Sequence, residues 1–219
     1  MKNALLKVVF AGLVAAGAAS ASAAVVQTFG SGSAVTTVTN AADFELNTGM
    51  VTPYTEGGMV FTYNGSNNNN GCGYGGCTGH NGFFPGFSGN YMYSVGTGTF
   101  ITIKMSDGSD FSAIEFAAGS GFSAPIFGHW ETYNNSLLTG SGDFSTPSVQ
   151  VLGLSDTAGF DEVRYFSSQT GSLGGTSAPA IDTVRAGSAV NNVPEPGSLA
   201  LMAVALLGLG AVRRKLQQS

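Results

Sequence analysis

Thiols are the first groups in this chain with the spacing to do chemistry. Cys72 and Cys77 enclose Gly73-Tyr74-Gly75-Gly76 and are the only two cysteines present. A structural zinc takes four ligands, more than this pair and nearby His80 supply. The three intervening glycines let the backbone curl until the sulfurs can meet. In an oxidising compartment two exported cysteines pair, so a Cys72–Cys77 disulfide is expected. For acid, base or nucleophilic work the inventory is thin. His80 lies in a Gly/Asn loop and His129 beside Trp130, neither next to a nucleophile in a recognisable arrangement. The Gly-x-Ser-x-Gly elbow of hydrolases is absent. Asp161 and Glu162 are adjacent, so on a strand they point to opposite faces and cannot act as a pair. Glu115 and Glu131 remain free to approach one another in the fold. The many Gly-x-Gly pieces read as turns, because no helix follows them to cradle a phosphate. No enzyme is expected on this inventory; the rival is a secreted glycan-active enzyme whose site assembles only in three dimensions.

The elements that must position these groups follow from composition and pattern. The 219 residues hold 33 glycines and only 10% charged residues, with 43% hydrophobic. Such a chain is neither a coiled coil, nor a basic nucleic-acid binder, nor a charge-driven disordered segment. Between residues 24 and 192 three basic residues (Lys104, Arg164, Arg185) face twelve acidic ones, a balance of −9. That surface repels nucleic acid and anionic lipid. Short runs rich in β-branched and aromatic residues recur: 25–29, 59–63, 91–95, 100–105, 113–117, 129–133, 148–152, 162–166 and 180–184. Gly, Asn, Ser or Asp-rich breaks separate most of them, and several alternate in polarity, as Ile101, Ile103 and Met105 do against Thr102 and Lys104. Eight or nine strands in this length predict an all-β, antiparallel β-sandwich of jelly-roll type. An N-terminal signal helix and a C-terminal hydrophobic helix are expected to flank it.

The N-terminal 23 residues carry Lys2 and Lys7, an uncharged apolar run from Val8 to Ala19, and Ala21-Ser22-Ala23. This is the order of a secretory signal cleaved by signal peptidase after Ala23. At the other end stand Val193-Pro194-Glu195-Pro196, an apolar run from Leu199 to Val212, and the cluster Arg213-Arg214-Lys215. The two prolines set a rigid extended spacer. Fourteen helical residues span about 21 Å, short of the roughly 30 Å hydrocarbon core. A marginal span suits a temporary hold, and the basic triplet would stay on the cytoplasmic side. These three parts, in this order and spacing, resemble the PEP-CTERM sorting signal of exopolysaccharide-producing Gram-negative bacteria, over residues 193–219. The resemblance implies processing by an exosortase near Pro194–Pro196, transient association with the inner membrane, and delivery to the cell envelope or extracellular matrix. A simple C-terminal tail anchor is the bland alternative.

Residues 24–192 form the exported domain. Asp43-Phe44-Glu45, Tyr54-Thr55-Glu56-Gly57-Gly58-Met59-Val60-Phe61, Gly159-Phe160-Asp161-Glu162-Val163-Arg164-Tyr165-Phe166 and Ala180-Ile181-Asp182-Thr183-Val184 are loosely similar in order to carbohydrate-binding jelly rolls. Asp182 shares a predicted strand face with Ala180 and Val184, so its carboxylate needs a partner, either hydrogen-bond donors or a cation. The resemblance implies that Glu45 and Asp182 join in a structural Ca2+ site, which would want six to eight oxygens. The loop from Asn64 to Asn90 carries Tyr74, Phe83, Phe84 and Phe87. Exposed, such rings would stack on sugars; the favoured reading is that the three phenylalanines tuck beneath the loop and hold it down. The expected role is a non-catalytic envelope or matrix component associated with exopolysaccharide, as in a biofilm. A self-associating adhesin is a further alternative.

Overall fold

The computed structural model describes residues 24–45, 53–64, 78–79, 86–121, 125–168, 171, 173 and 175–189. The expected signal peptide, Cys72 and Cys77, His80, Phe83, Phe84 and everything from Val193 on, including Pro194, Glu195, Pro196, Arg213, Arg214 and Lys215, lie outside these residues. Among the described residues there is no helix, and therefore none long and apolar enough to cross a membrane.

Fifteen strands follow in chain order: β1 (Val26–Phe29), β2 (Val35–Ala42), β3 (Tyr54–Glu56), β4 (Met59–Tyr63), β5 (Thr78–Gly79), β6 (Tyr91–Tyr93), β7 (Gly96–Thr97), β8 (Phe100–Met105), β9 (Phe111–Ser120), β10 (Ile126–Asn134), β11 (Leu137–Thr146), β12 (Gln150–Phe160), β13 (Glu162–Ser168), β14 (Thr176–Ser177) and β15 (Pro179–Ala189). All pairings are antiparallel. The first sheet runs β1-β12-β9-β15-β6-β5, with β2 also on β15. The second runs β11-β10-β13-β8-β4-β3, with β14 bridging β13 and β7.

Period-two alternation explains why these sheets face one another. On the first sheet Ile114, Phe116, Leu152, Leu154 and Ile181 point inward; on the second, Phe61, Ile101, Ile103, Trp130, Val163 and Tyr165 do. All are buried in one cluster. The result is a sandwich-like all-β arrangement with its core between the sheets. Tyr165 is wholly buried, and its hydroxyl donates to the Gly119 carbonyl at 2.8 Å, tying the two sheets together.

The runs at 59–63 and 100–105 coincide with β4 and β8, and the other seven also fall on strands, several of them longer than expected. Two long strands, β2 and β11, were not foreseen. Both are edge strands rich in Thr, Ser or Gly, with mostly exposed side chains and little apolar alternation to reveal them. A second correction concerns Asp182. Thr183 takes a left-handed φ of 48°, and the register of β15 on β9 shifts between Asp182 and Arg185. This bulge reverses the phase of the strand. Asp182 therefore stays on the outer side with Ala180, while Val184 turns into the core.

The outer faces differ. On the first sheet, residues 30–35 fold over Glu115, and Phe87 lies over the strands with its ring stacked 4.9 Å from Tyr91. Phe87, Tyr91, Tyr93 and Ala180 form a second small core there. Of the three phenylalanines expected to tuck in, Phe87 is the one among the described residues, and it is buried. The outer face of the second sheet carries side chains of a different kind.

Candidate functional site

Cross-strand register lines up the outward residues of the second sheet in rows. His129 is opposite Asp143 on β11 and Phe166 on β13, and Phe166 is opposite Phe100 on β8. The next row holds Ser141, Glu131, Arg164, Thr102 and Thr62. Tyr133, Glu162, Lys104 and Val60 form the third. Their inward neighbours include Phe61, Ile101, Ile103, Trp130, Val163 and Tyr165, all in the core, so the pleat dictates that this set faces out.

The polar members are linked side chain to side chain. His129 Nδ1 is 2.7 Å from Asp143 Oδ1, and its Nε2 is 3.5 Å from Glu131. The Tyr133 hydroxyl donates to Glu131 at 2.6 Å and accepts from Arg164 Nη1 at 3.3 Å. Arg164 Nε donates to Glu162, whose other oxygen is 2.5 Å from Lys104 Nζ. Burial works against charge on Glu162, but hydrogen bonds from Lys104 and Arg164 outweigh it and hold the carboxyl below its usual range. The Tyr133 hydroxyl is pushed up, first by burial and then by its bond to Glu131.

Rings alternate with these charges. The Arg164 guanidinium lies 4.2 Å from the Tyr133 ring centre and 5.2 Å from that of Phe100, within cation–π reach of both. Phe100 contacts Phe166 at 4.8 Å, and Phe166 meets His129 edge-on at 5.4 Å. One end of this strip opens into a cleft of about 130 Å³ lined by residues that include Phe127, His129, Phe166, Ser168 and Leu173. Aromatic bodies between fixed donors and acceptors suit a polyhydroxylated ligand. Sequence reading missed this strip. The residues were in hand as separate strands, but the pairing of β10 with β13 and β8, which brings them together, is not legible locally.

Glu115 and Glu131 do not meet. Glu115 sits outward on the first sheet, and Glu131 outward on the second, with the core between them. Asp161 and Glu162 serve different partners: Asp161 accepts the Asn135 N–H at 2.8 Å, while Glu162 holds Lys104 and Arg164.

Glu45 and Asp182, far apart in the chain, converge at the bulge of β15. Glu45 Oε1 accepts the Asn90 N–H at 2.8 Å, and Asp182 Oδ2 accepts that of Ser88 at 3.4 Å. Asp182 Oδ1 also takes the Thr183 N–H at 2.6 Å. Burial drives the Asp182 carboxyl above its usual range, and the charge on Glu45 adds to the rise against those N–H bonds. A buried carboxyl whose charge is opposed by burial and by a neighbouring carboxylate fits a cation. Among the described residues no third Asp, Glu, His or Cys joins them, so further ligands would be carbonyls, hydroxyls or water.

Comparison with known families matches residues 192–215 to the PEP-CTERM protein-sorting motif. No curated protein matches the chain. The motif implies an exported protein processed by an exosortase and anchored at the cell envelope.

Proposed function

We propose that this protein is a non-catalytic component of the cell envelope or extracellular matrix that contacts exopolysaccharide through the outer face of its second sheet. The observation that carries the reading is the sorting motif at residues 192–215. In this reading signal peptidase cuts after Ala23, the apolar run 199–212 holds the chain in the inner membrane for a time, and the exosortase acts near Pro194–Pro196. The domain is a sandwich of jelly-roll type stapled by Cys72–Cys77, with Ca2+ between Glu45 and Asp182. Support for glycan contact comes from the ring-and-charge strip around Phe166, Phe100 and Arg164. Its lysine and arginine are already engaged, both by Glu162. That favours a neutral polymer over a polyanion, which would meet a domain of charge balance −9 with, among the described residues, no unpaired lysine or arginine on this face.

Mass spectrometry of the mature protein from its host tests the sorting reading. A chain beginning at Ala24 and ending near Pro194–Pro196 is expected; one that still ends at Ser219 overturns it. Affinity electrophoresis in neutral and in uronate-containing polysaccharide gels tests the ectodomain. The mature protein should be retarded by a neutral polymer, and Phe166→Ala should abolish the retardation without changing thermal stability by more than about 1–2 kcal/mol. Equal migration of wild type and variant in every gel refutes the binding face.

A further inference from the structure

One end of the sheet pair presents two edge strands side by side. β1 ends the first sheet and β11 the second. They touch through Phe29 and Phe144, whose ring centres are 5.5 Å apart, and Trp130 Nε1 donates to Gln27 of β1 at 2.7 Å. Six large hydrophobic residues are exposed among the described residues, and four of them stand on these two strands: Val26, Phe29, Leu137 and Leu138. Leu137 is 72% and Leu138 57% exposed.

These leucines are not on a loose tip. The β10–β11 turn places Asn135 and Ser136 at φ of 50° and 67°, as a two-residue hairpin of type I′ requires. Asn135 N donates to Asp161 at 2.8 Å, and Asn134 Nδ2 donates to the Gly159 carbonyl at 3.2 Å. The turn is pinned at both residues, so the leucines are held out at fixed positions.

β11 reads Leu-Leu-Thr-Gly-Ser-Gly-Asp-Phe-Ser-Thr over ten residues, and only β10 pairs with it among the described residues. Edge strands of this length are ordinarily blunted by lysine, proline or inward charge. Here there is one charge, Asp143, and His129 engages it across the outer face. β1, Val-Gln-Thr-Phe, has none.

We propose that this edge is a homotypic interface, at which β11 pairs antiparallel with β11 of a second copy about a two-fold axis. Charge and pattern select that occupant. Two domains of charge balance −9 repel over most of their surfaces and meet most easily where nearly no charge stands. A two-fold antiparallel edge is self-complementary, since each strand offers the same alternating N–H and C=O groups to the other. Unless the axis passes through Asp143 itself, the two Asp143 carboxylates do not face one another. The exposed leucines and the β1 side chains then close over the joint as an apolar rim. This assignment does not rest on glycan binding.

Light scattering after size exclusion, on the mature protein between about 1 and 200 μM, tests it. The wild type should pass from monomer to dimer, with β11 amides from Leu138 to Phe144 gaining hydrogen-exchange protection in the dimer. The variant Leu137→Lys/Leu138→Lys alters two exposed side chains outside the core. It should weaken dimerisation at least tenfold while its far- and near-ultraviolet circular dichroism stays that of the wild type. A wild type that remains monomeric at about 200 μM overturns the proposal. So does a dimer indifferent to the double variant, or one whose protected amides lie away from β11.

Discussion

Glu115 is the group whose removal should cost this fold most, and its surroundings allow the cost to be worked out. Its side chain is wholly buried on β9. Oε1 accepts the N–H groups of Ala34 at 2.6 Å and Val35 at 3.0 Å, while Oε2 accepts Gly32 N–H at 2.9 Å and Arg185 Nη2 at 2.5 Å. Burial opposes the charge, but the three backbone donors and Arg185 prevail and hold the carboxyl below its usual range. In Glu115→Ala the Gly32 N–H and the partly exposed guanidinium can turn to water. The buried Ala34 and Val35 N–H groups cannot, and each orphaned donor costs about 1–3 kcal/mol. The expected loss is about 3–5 kcal/mol, the range for breaking a buried ion pair from one side. Glu115→Gln keeps one acceptor for Ala34 and Val35 but sets an amide N–H₂ against Gly32 and Arg185, so it should fall between. Urea unfolding of the mature proteins measures all three. Because the folded-state pKa is depressed, this stabilisation is complete above the ordinary carboxylate value near 4.5. It is lost as pH falls through the folded value, so the gap between wild type and Glu115→Gln should shrink in acid. A Glu115→Ala loss below about 1 kcal/mol, or a gap that widens in acid, refutes the reasoning.

The sequence disclosed what short-range chemistry controls. Phe100–Met105 alternates cleanly and Met59–Tyr63 is a run of β-branched and aromatic residues, so β8 and β4 are legible, whereas the three-residue β3 was not expected. β11 was not, because Gly140 and Gly142 look like turn residues. They are small for a different reason: a Cβ on Gly140 would lie 2.7 Å from Val25, and one on Gly142 2.8 Å from Trp130. Only the closeness of β1 and of the Trp130 ring explains them, and that is tertiary. That the Asp182 carboxylate needs a partner was read from its place in the predicted strand, and a shared Ca2+ site with Glu45 was what the resemblance to carbohydrate-binding jelly rolls implied. What no local pattern could show is the bulge at Thr183, which keeps Asp182 outward beside Ser88 while sending Val184 inward. The outer strip failed to appear for the same reason. His129, Phe166 and Phe100 are separated by long stretches of chain, and only register makes them neighbours.

Two further outcomes follow from backbone and carboxylate geometry. Gly57 has φ of 57°, and a Cβ there would stand 1.8 Å from the Ala41 carbonyl oxygen, a backbone atom of β2 that cannot swing away. Gly57→Ala should therefore lose about 2–4 kcal/mol, conformational strain plus overpacking. Gly108→Ala, at φ of 76° with nothing within 4 Å, carries the strain alone and should lose only about 1–2 kcal/mol in the same urea titration; equal losses would deny the contact with β2. Asp182 gives the opposite pH sign to Glu115. Its folded pKa is raised, so without a cation it favours the folded state in acid and loses that contribution as pH rises from the ordinary carboxylate value through the folded one. Asp182→Asn keeps an oxygen for Ser88 and Thr183 and removes the charge facing Glu45, so in chelator at neutral pH it should melt above the wild type. Ca2+ at about 100 times its dissociation constant would then stabilise the wild type by about 2.7 kcal/mol and leave the variant unmoved, reversing their order. Two melting curves per protein decide it: a wild type indifferent to both chelator and Ca2+ removes the cation, and a variant that melts lower in chelator removes the electrostatic argument beneath it.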